Sequence, residues 1–340
     1  MLAATFAEKG VVRLAEFDVP EAAPGEVLLR VLRCGICGSD LHAYRGAWGG
    51  NSHPGHELCA VVEKLGPGVS ALRPGARVTA ECFAHCGRCE ACRRGDYNLC
   101  EAIRFSPGRP AGGMAEFIAY PAAGLFAVPD ALSDEQAALV EPLAVAFRAV
   151  ARAGVAEGES VAVVGGGTIG LLCASVAAAR GAGPVFLLAK YPHQVDKARE
   201  LGGVEPLLPQ DGNPVELIKE RAGRVDVALD CAAAGTSFTT ALSLVRPQGR
   251  VVEVGGVTRP LLSALSPLVN GELRVTGSSC YATTDGRPDF EWAIQLIAEG
   301  KLRPEALVTH TFPLAEAAEA FRTAADKKSG SVKVLLRMEG

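Results

Sequence analysis

The sequence predicts an α/β protein of two domains, one β-rich and partly barrel-like, the other a doubly wound parallel sheet. Three observations lead there. The chain has 340 residues, more than twice the common domain length of about 100–150 residues. Residues 1–143 carry short alternating strands punctuated by Pro-Gly turns. From about Leu143, apolar runs of strand length alternate with Ala/Leu-rich helical stretches, the pattern of βαβ units around a parallel sheet.

Composition narrows the functional classes. Hydrophobic residues make up 49% of the chain and charged residues 21%, which excludes disorder. Lys and Arg number 34 against 38 Asp and Glu, a net charge of −4 with no Lys/Arg-rich block. That balance argues against nucleic acid or an anionic membrane as the main partner. A chain this long buries a core without disulfide staples, so its 11 cysteines need another explanation. Met1–Gly10 lacks a charged segment followed by an apolar run, so no secretion signal is expected. The expected setting is cytoplasmic, with reduced thiols.

In the first domain, strands are expected at Val27–Val31, Val61–Lys64, Arg77–Thr79 and Ala115–Ala119, with turns at Pro24-Gly25, Pro67-Gly68 and Pro74-Gly75. In the second, Val161–Val164, Val185–Leu188, Val225–Leu229, Val251–Val254 and Leu273–Thr276 read as buried parallel strands. Ser160–Ala179 carries no charge and mimics a membrane span. Gly165-Gly166-Gly167 divides it into strand, turn and helix, each too short to cross a bilayer. Two amphipathic helices, within Phe290–Ile297 and Leu314–Ala325, and a strand at Val332–Leu336 close the chain.

Eight of the 11 cysteines and four of the six histidines fall before Leu143. Cys86, Cys89, Cys92 and Cys100 lie within fifteen residues, at spacings that wrap a tetrahedral zinc ion without long-range folding. Disulfides, disfavoured by compartment, and an iron–sulfur cluster, for which the spacing is a poorer match, are the competing readings. Four protein ligands close the coordination shell, so a zinc here is structural.

A second cluster runs Cys34-Gly-Ile-Cys37-Gly-Ser39-Asp40-Leu-His42 and continues at Gly55-His56-Glu57. Cys37, His56 and a carboxylate leave one position open on a metal, as catalysis requires. Ser39 and His42 are spaced to relay a proton, and Asp40 to orient a ligating imidazole. A Cys34–Cys37 redox pair, or a His56 simply satisfied in the core, fits the same residues.

The third signal is Gly165-Gly166-Gly167-Thr168-Ile169-Gly170, a G-x-G-x-x-G between an expected strand and helix. That context suits a dinucleotide pyrophosphate held on helix N-terminal amides, although a ligand-free strand–helix turn has the same outline.

Together the three clusters resemble the zinc-containing medium-chain alcohol and polyol dehydrogenases, of sorbitol and threonine dehydrogenase type, over nearly the whole chain. The resemblance implies a GroES-like catalytic domain over residues 1–143 and 281–340, with a Rossmann domain over residues 144–280 inserted. It implies zinc ligation by Cys37, His56 and either Glu57 or Glu141, and a structural zinc on Cys86, Cys89, Cys92 and Cys100. It further implies a proton relay through Ser39 and His42, and a nicotinamide cofactor on Gly165, Gly167, Thr168, Ile169 and Gly170, with Lys333 near its pyrophosphate.

Two positions depart from the family pattern. Ala60 replaces the last glycine of Gly-His-Glu-x-x-Gly, in what reads as a turn. Ala189 stands where an NAD enzyme keeps a ribose-binding acid, with Lys190 next to it. A 2′-phosphate then meets no carboxylate, which favours NADP over NAD; Lys190 is equally consistent with a solvated surface lysine. The resemblance implies a small alcohol or polyol substrate and a homodimer or homotetramer, with an edge strand near Leu273–Thr276 as a contact. Tyr44, Trp48, Phe105 and Phe117 are aromatic candidates for the substrate pocket or for packing. A zinc-ribbon interaction module or a non-catalytic dinucleotide-binding reductase-like protein are the readings from other classes.

Overall fold

The computed structural model describes residues 1–47, 53–256 and 265–338. Two compact units divide the chain. One comprises Met1–Glu141, Ala293–Ala298 and Leu307–Gly340, and the other Pro142–Trp292 and Glu299–Ala306. Among the described residues, no helix is long and apolar enough to cross a membrane.

The first unit is organised by one long strand, Glu26–Gly35, whose Val27, Leu29 and Val31 side chains alternate into the core. It lies within a seven-stranded sheet, in the order Val308–Pro313, Lys333–Arg337, Glu26–Gly35, Glu57–Leu65, Arg77–Ala80 and Leu125–Ala127, with Phe117–Pro121 also paired to Glu26–Gly35. Register places Gly35 between Glu57 on one neighbour and Leu335 on the other. Ala60, expected in a turn, sits fully buried inside Glu57–Leu65, opposite Val31 and Val78. A strand interior favours alanine over a flexible glycine there. Phe83–Ala84 and Arg104–Phe105 pair as a small antiparallel ribbon around the Cys86–Cys100 segment.

The second unit holds six parallel strands in the order Glu205–Leu207, Val185–Leu188, Val161–Val164, Val225–Asp230, Val245–Glu253 and Arg274–Gly277. Order reverses on either side of Val161–Val164, which makes the carboxyl ends of these strands the place where such sheets bind ligands. Glu205–Leu207 escaped the sequence reading because Pro206 speaks against a strand. Proline is tolerated where this strand lies, at the sheet edge. The sequence reading returns the chain to the first domain near residue 281, whereas the compact units keep residues 281–292 with the second. Tyr281 and Phe290 are buried edge to face at 4.7 Å, and Trp292 stacks on Phe147 at 5.6 Å. Arg148 donates to the Thr283 carbonyl at 2.7 Å.

At the carboxyl ends of two neighbouring strands, Asp230 and Glu253 stand in register. Asp230 accepts hydrogen bonds from the Ala232 and Ala233 amides and the Ser237 hydroxyl, while neither Glu253 carboxyl oxygen has a hydrogen-bond partner among the described residues. Burial and the Asp230 charge push Glu253 from the ordinary 4.5 up to about 8. The folded chain therefore retains a proton that the unfolded chain releases, and stability falls as pH rises through that window. Glu253→Gln, which mimics the protonated acid, is expected to raise Tm at about pH 8.5, by on the order of 2–4 °C per kcal/mol relieved, and to have little effect near pH 5. Thermal unfolding at both pH values tests this; an equal shift at each would contradict it.

Candidate active site

Antiparallel pairing brings the end of Glu26–Gly35 to the start of Glu57–Leu65, so residues from two distant motifs meet. The donor atoms of Cys37, His56 and Glu57 all lie within 4.8 Å of one another. Cys37 caps the N-terminus of the helix Gly38–Tyr44. Asp40, in that helix's first turn, accepts from the Cys37 amide at 2.9 Å and the Gly55 amide at 3.1 Å, tying the two ligand-bearing loops together. Its expected role on the imidazole needs correction: His56 Nδ1 stands 4.0 Å from Asp40, beyond hydrogen-bond range, while the carboxylate is held by the two backbone amides.

The electrostatics of this cluster suit a cation. Burial works against a charged His56 ring, yet Cys37, Asp40 and Glu141 outweigh it and hold the imidazole well above its ordinary pKa. A thiol, an imidazole and a carboxyl converging in such a field match the donor set of a zinc ion with a position left open.

Glu57 has a partner that its sequence context did not reveal. Lys333 Nζ reaches its two carboxylate oxygens at 2.7 and 2.5 Å, and the Ile36 carbonyl at 3.1 Å. Burial alone would lower the Lys333 pKa, but Glu57, followed by Cys37 and Glu141, raises it above its ordinary value. All three ammonium hydrogens are thus engaged, which departs from the expected placement of Lys333 against a cofactor pyrophosphate. Gly35 makes the pair possible, since a Cβ there would lie 2.1 Å from Glu57 Oε2.

Ser39 and His42, three residues apart on one helix, share a face and are both half-buried. Burial, with Arg45 adding to it, lowers the His42 pKa. Glu141 is buried and near enough to influence His56, but it is not among the three whose donor atoms converge. Tyr44 packs against Phe6 and Phe321 and is half-buried against the core. Phe105 is exposed beside Phe83, and Phe117 is half-buried in its strand. Trp48 lies outside the described residues.

The donor sulfurs of Cys86, Cys89, Cys92 and Cys100 also fall within 4.8 Å of one another. Backbone amides point at them: Cys89 N–H at Cys86 Sγ, and the Cys86 and Ala102 N–H groups at Cys100 Sγ, all at 3.3–3.4 Å. The Arg88 and Cys89 amides draw the Cys86 thiol down to about 6, toward the thiolate a metal needs. Among the described residues the cysteines form no disulfide. Of the six cysteines outside these two clusters, Cys34, Cys59, Cys82 and Cys173 are buried, and Cys231 and Cys280 are partly buried.

In the second unit, the glycines of the Gly-rich turn divide by role. Gly165 has φ +109°, and a Cβ on Gly170 would lie 1.8 Å from the Gly165 carbonyl, so the fold itself requires both. Gly167 is different. It caps the helix Thr168–Ala179 at φ −76°, and a Cβ there would meet nothing within 4 Å. The amides of Thr168, Ile169 and Gly170 begin that helix, at the positive end of its dipole, which suits an anion. Ala189 is buried against Val195 and Leu208. Lys190 is exposed, its Nζ 5.5 Å above the Tyr191 ring.

Comparison with known proteins agrees with this geometry. The Alcohol dehydrogenase GroES-like domain matches residues 23–130, and Zinc-binding dehydrogenase matches residues 168–299. Sorbitol dehydrogenase of Homo sapiens is 35% identical over 345 residues, covering 97% of this chain and 94% of that protein. A zinc-binding dehydrogenase of Sinorhizobium meliloti 1021 solved with NADP superposes with TM-score 0.89 at 31% identity, covering 99% of this chain and 98% of the other. An alcohol dehydrogenase of Escherichia coli CFT073 complexed with NADH gives 0.91 at 27%, covering 99% of each. A GroES-like domain joined to a Rossmann domain, with a thiol–imidazole–carboxylate cluster, defines a zinc- and nicotinamide-dependent oxidoreductase. The chain belongs to the zinc-containing medium-chain alcohol/polyol dehydrogenase family.

Proposed function

We propose that the protein oxidises a secondary alcohol or polyol, or reduces the corresponding ketone, with NADP(H) preferred over NAD(H). The convergence of Cys37, His56 and Glu57 donor atoms carries this reading. Zinc held there supplies a Lewis acid for the substrate hydroxyl, and nicotinamide supplies the hydride acceptor. Ser39 takes the hydroxyl proton and His42 passes it toward solvent; a lowered pKa suits an imidazole that must be neutral to receive it. Glu57 is the third protein donor, its excess charge balanced by Lys333, with Glu141 in reserve beside His56. Cys86, Cys89, Cys92 and Cys100 hold a second, structural zinc, making two per chain. A zinc-ribbon module would leave the first cluster without a purpose, and a metal-free dinucleotide binder would leave both.

Room at Gly167 supports the cofactor reading, because neither packing nor backbone conformation demands glycine at that position. Gly167→Ala is expected to raise KM for the nicotinamide cofactor at least about tenfold, or about 1.4 kcal/mol, with Tm preserved. An unchanged KM would contradict it. The absent acid at Ala189 and the exposed Lys190 support NADP. Measuring nicotinamide absorbance with NAD⁺ and NADP⁺ against secondary alcohols, polyols and amino alcohols tests the function. Turnover of a polyol with NADP⁺ supports it, and inertness toward the whole panel refutes it.

The exposed edge strand Arg274–Gly277, with Val269 and Val275 uncovered nearby, supports a homodimer or homotetramer. Cysteines that form no disulfide among the described residues support a cytoplasmic setting.

A further inference from the structure

We propose that His85 is a positioning residue of the four-cysteine metal site, donating its ring N–H to the Cys92 sulfur. The inference rests on reading Cys86, Cys89, Cys92 and Cys100 as a zinc site. His85 Nδ1 lies 3.7 Å from Cys92 Sγ, within range for an N–H···S bond. The imidazole is not among the donors within 4.8 Å of one another, so it addresses one sulfur and leaves the metal to the four thiolates.

Its orientation is fixed from behind. The His85 ring stacks on Tyr97 at 4.6 Å and 26°, and the Tyr97 hydroxyl donates to buried Glu81 at 2.7 Å. Tyr97 itself is buried in the turn between Cys92 and Cys100. A chain of contacts from Glu81 through Tyr97 and His85 to Cys92 therefore ties the metal lobe to the end of the strand Arg77–Ala80. The Cys86 and Cys100 sulfurs are met by backbone amides. Among the described residues, Cys92 is the one of the four with an imidazole beside its sulfur. A donor at that sulfur stabilises the thiolate, dulls its nucleophilicity and holds its side chain toward the metal.

Two variants separate hydrogen bonding from packing. His85→Phe keeps a ring for Tyr97 but removes the donor, whereas His85→Asn places an amide N–H near the Nδ1 position. Purified holoenzyme is incubated with a chromogenic zinc chelator, and iodoacetamide labelling of Cys92 is followed by peptide mass spectrometry. His85→Phe is expected to release the zinc that protects Cys92 about 10-fold faster or more, with matching acceleration of labelling, and His85→Asn to stay near wild type. Wild-type rates in His85→Phe, or equal acceleration in both variants, would overturn the donor role. A wild-type lobe that holds no zinc overturns the underlying metal reading, and this inference with it.

Discussion

Replacing Cys37 by serine is expected to lower kcat/KM by about 10³-fold or more on any alcohol the enzyme accepts, without unfolding it. Lewis-acid stabilisation of developing negative charge contributes several kcal/mol, and each 1.36 kcal/mol is tenfold in rate. A serine hydroxyl stays protonated near neutral pH and is a poor substitute for a thiolate. The surrounding loops keep their shape because Asp40 is held by the Cys37 and Gly55 amides, which the substitution leaves in place. His56→Ala should show a loss of similar size, and the double variant little more, since the residues act as a unit. Kinetics beside circular dichroism check this; substantial turnover in a zinc-depleted Cys37→Ser enzyme would contradict it.

The second large effect is on stability. Lys333 and Glu57 are almost wholly buried, with side chains 3% and 1% exposed. In metal-free protein, removing one partner strands a charge in a low-dielectric interior, at a cost of about 3–5 kcal/mol. Lys333→Met should therefore be strongly destabilised in denaturant unfolding, and adding Glu57→Gln should recover much of the loss, a coupling that a double-mutant cycle measures directly. Were Lys333 instead a cofactor contact, Lys333→Met would raise the cofactor KM and leave unfolding nearly unchanged.

Much of the fold was legible, for identifiable reasons. Val161–Val164 and Val185–Leu188 are buried on both faces, so their uninterrupted apolar runs mark both ends of each strand. The Cys86–Cys100 cluster was equally plain because its four cysteines are local in sequence, and their sulfurs converge. The strand Glu26–Gly35 exceeds the expected Val27–Val31, since it runs on through Leu32-Arg33-Cys34-Gly35, which resemble the approach to a motif. What stayed hidden depended on register across long separations. Lys333 lies 276 residues from Glu57, and nothing local to either predicts the pair. Gly35 carried no turn signal, its need being clearance for a carboxylate on the next strand. Asp40, expected to orient the imidazole, instead accepts the Cys37 and Gly55 amides, a placement that only the folded loops reveal.

The most direct measurement is zinc content per chain for wild type and Cys37→Ser, read together with NADP⁺ reduction on a polyol. Two zinc ions in the active wild type, and one in a folded variant that has lost turnover, are the expected results. Equal zinc in both proteins, or turnover that survives loss of the second ion, would contradict metal-assisted chemistry at Cys37, His56 and Glu57.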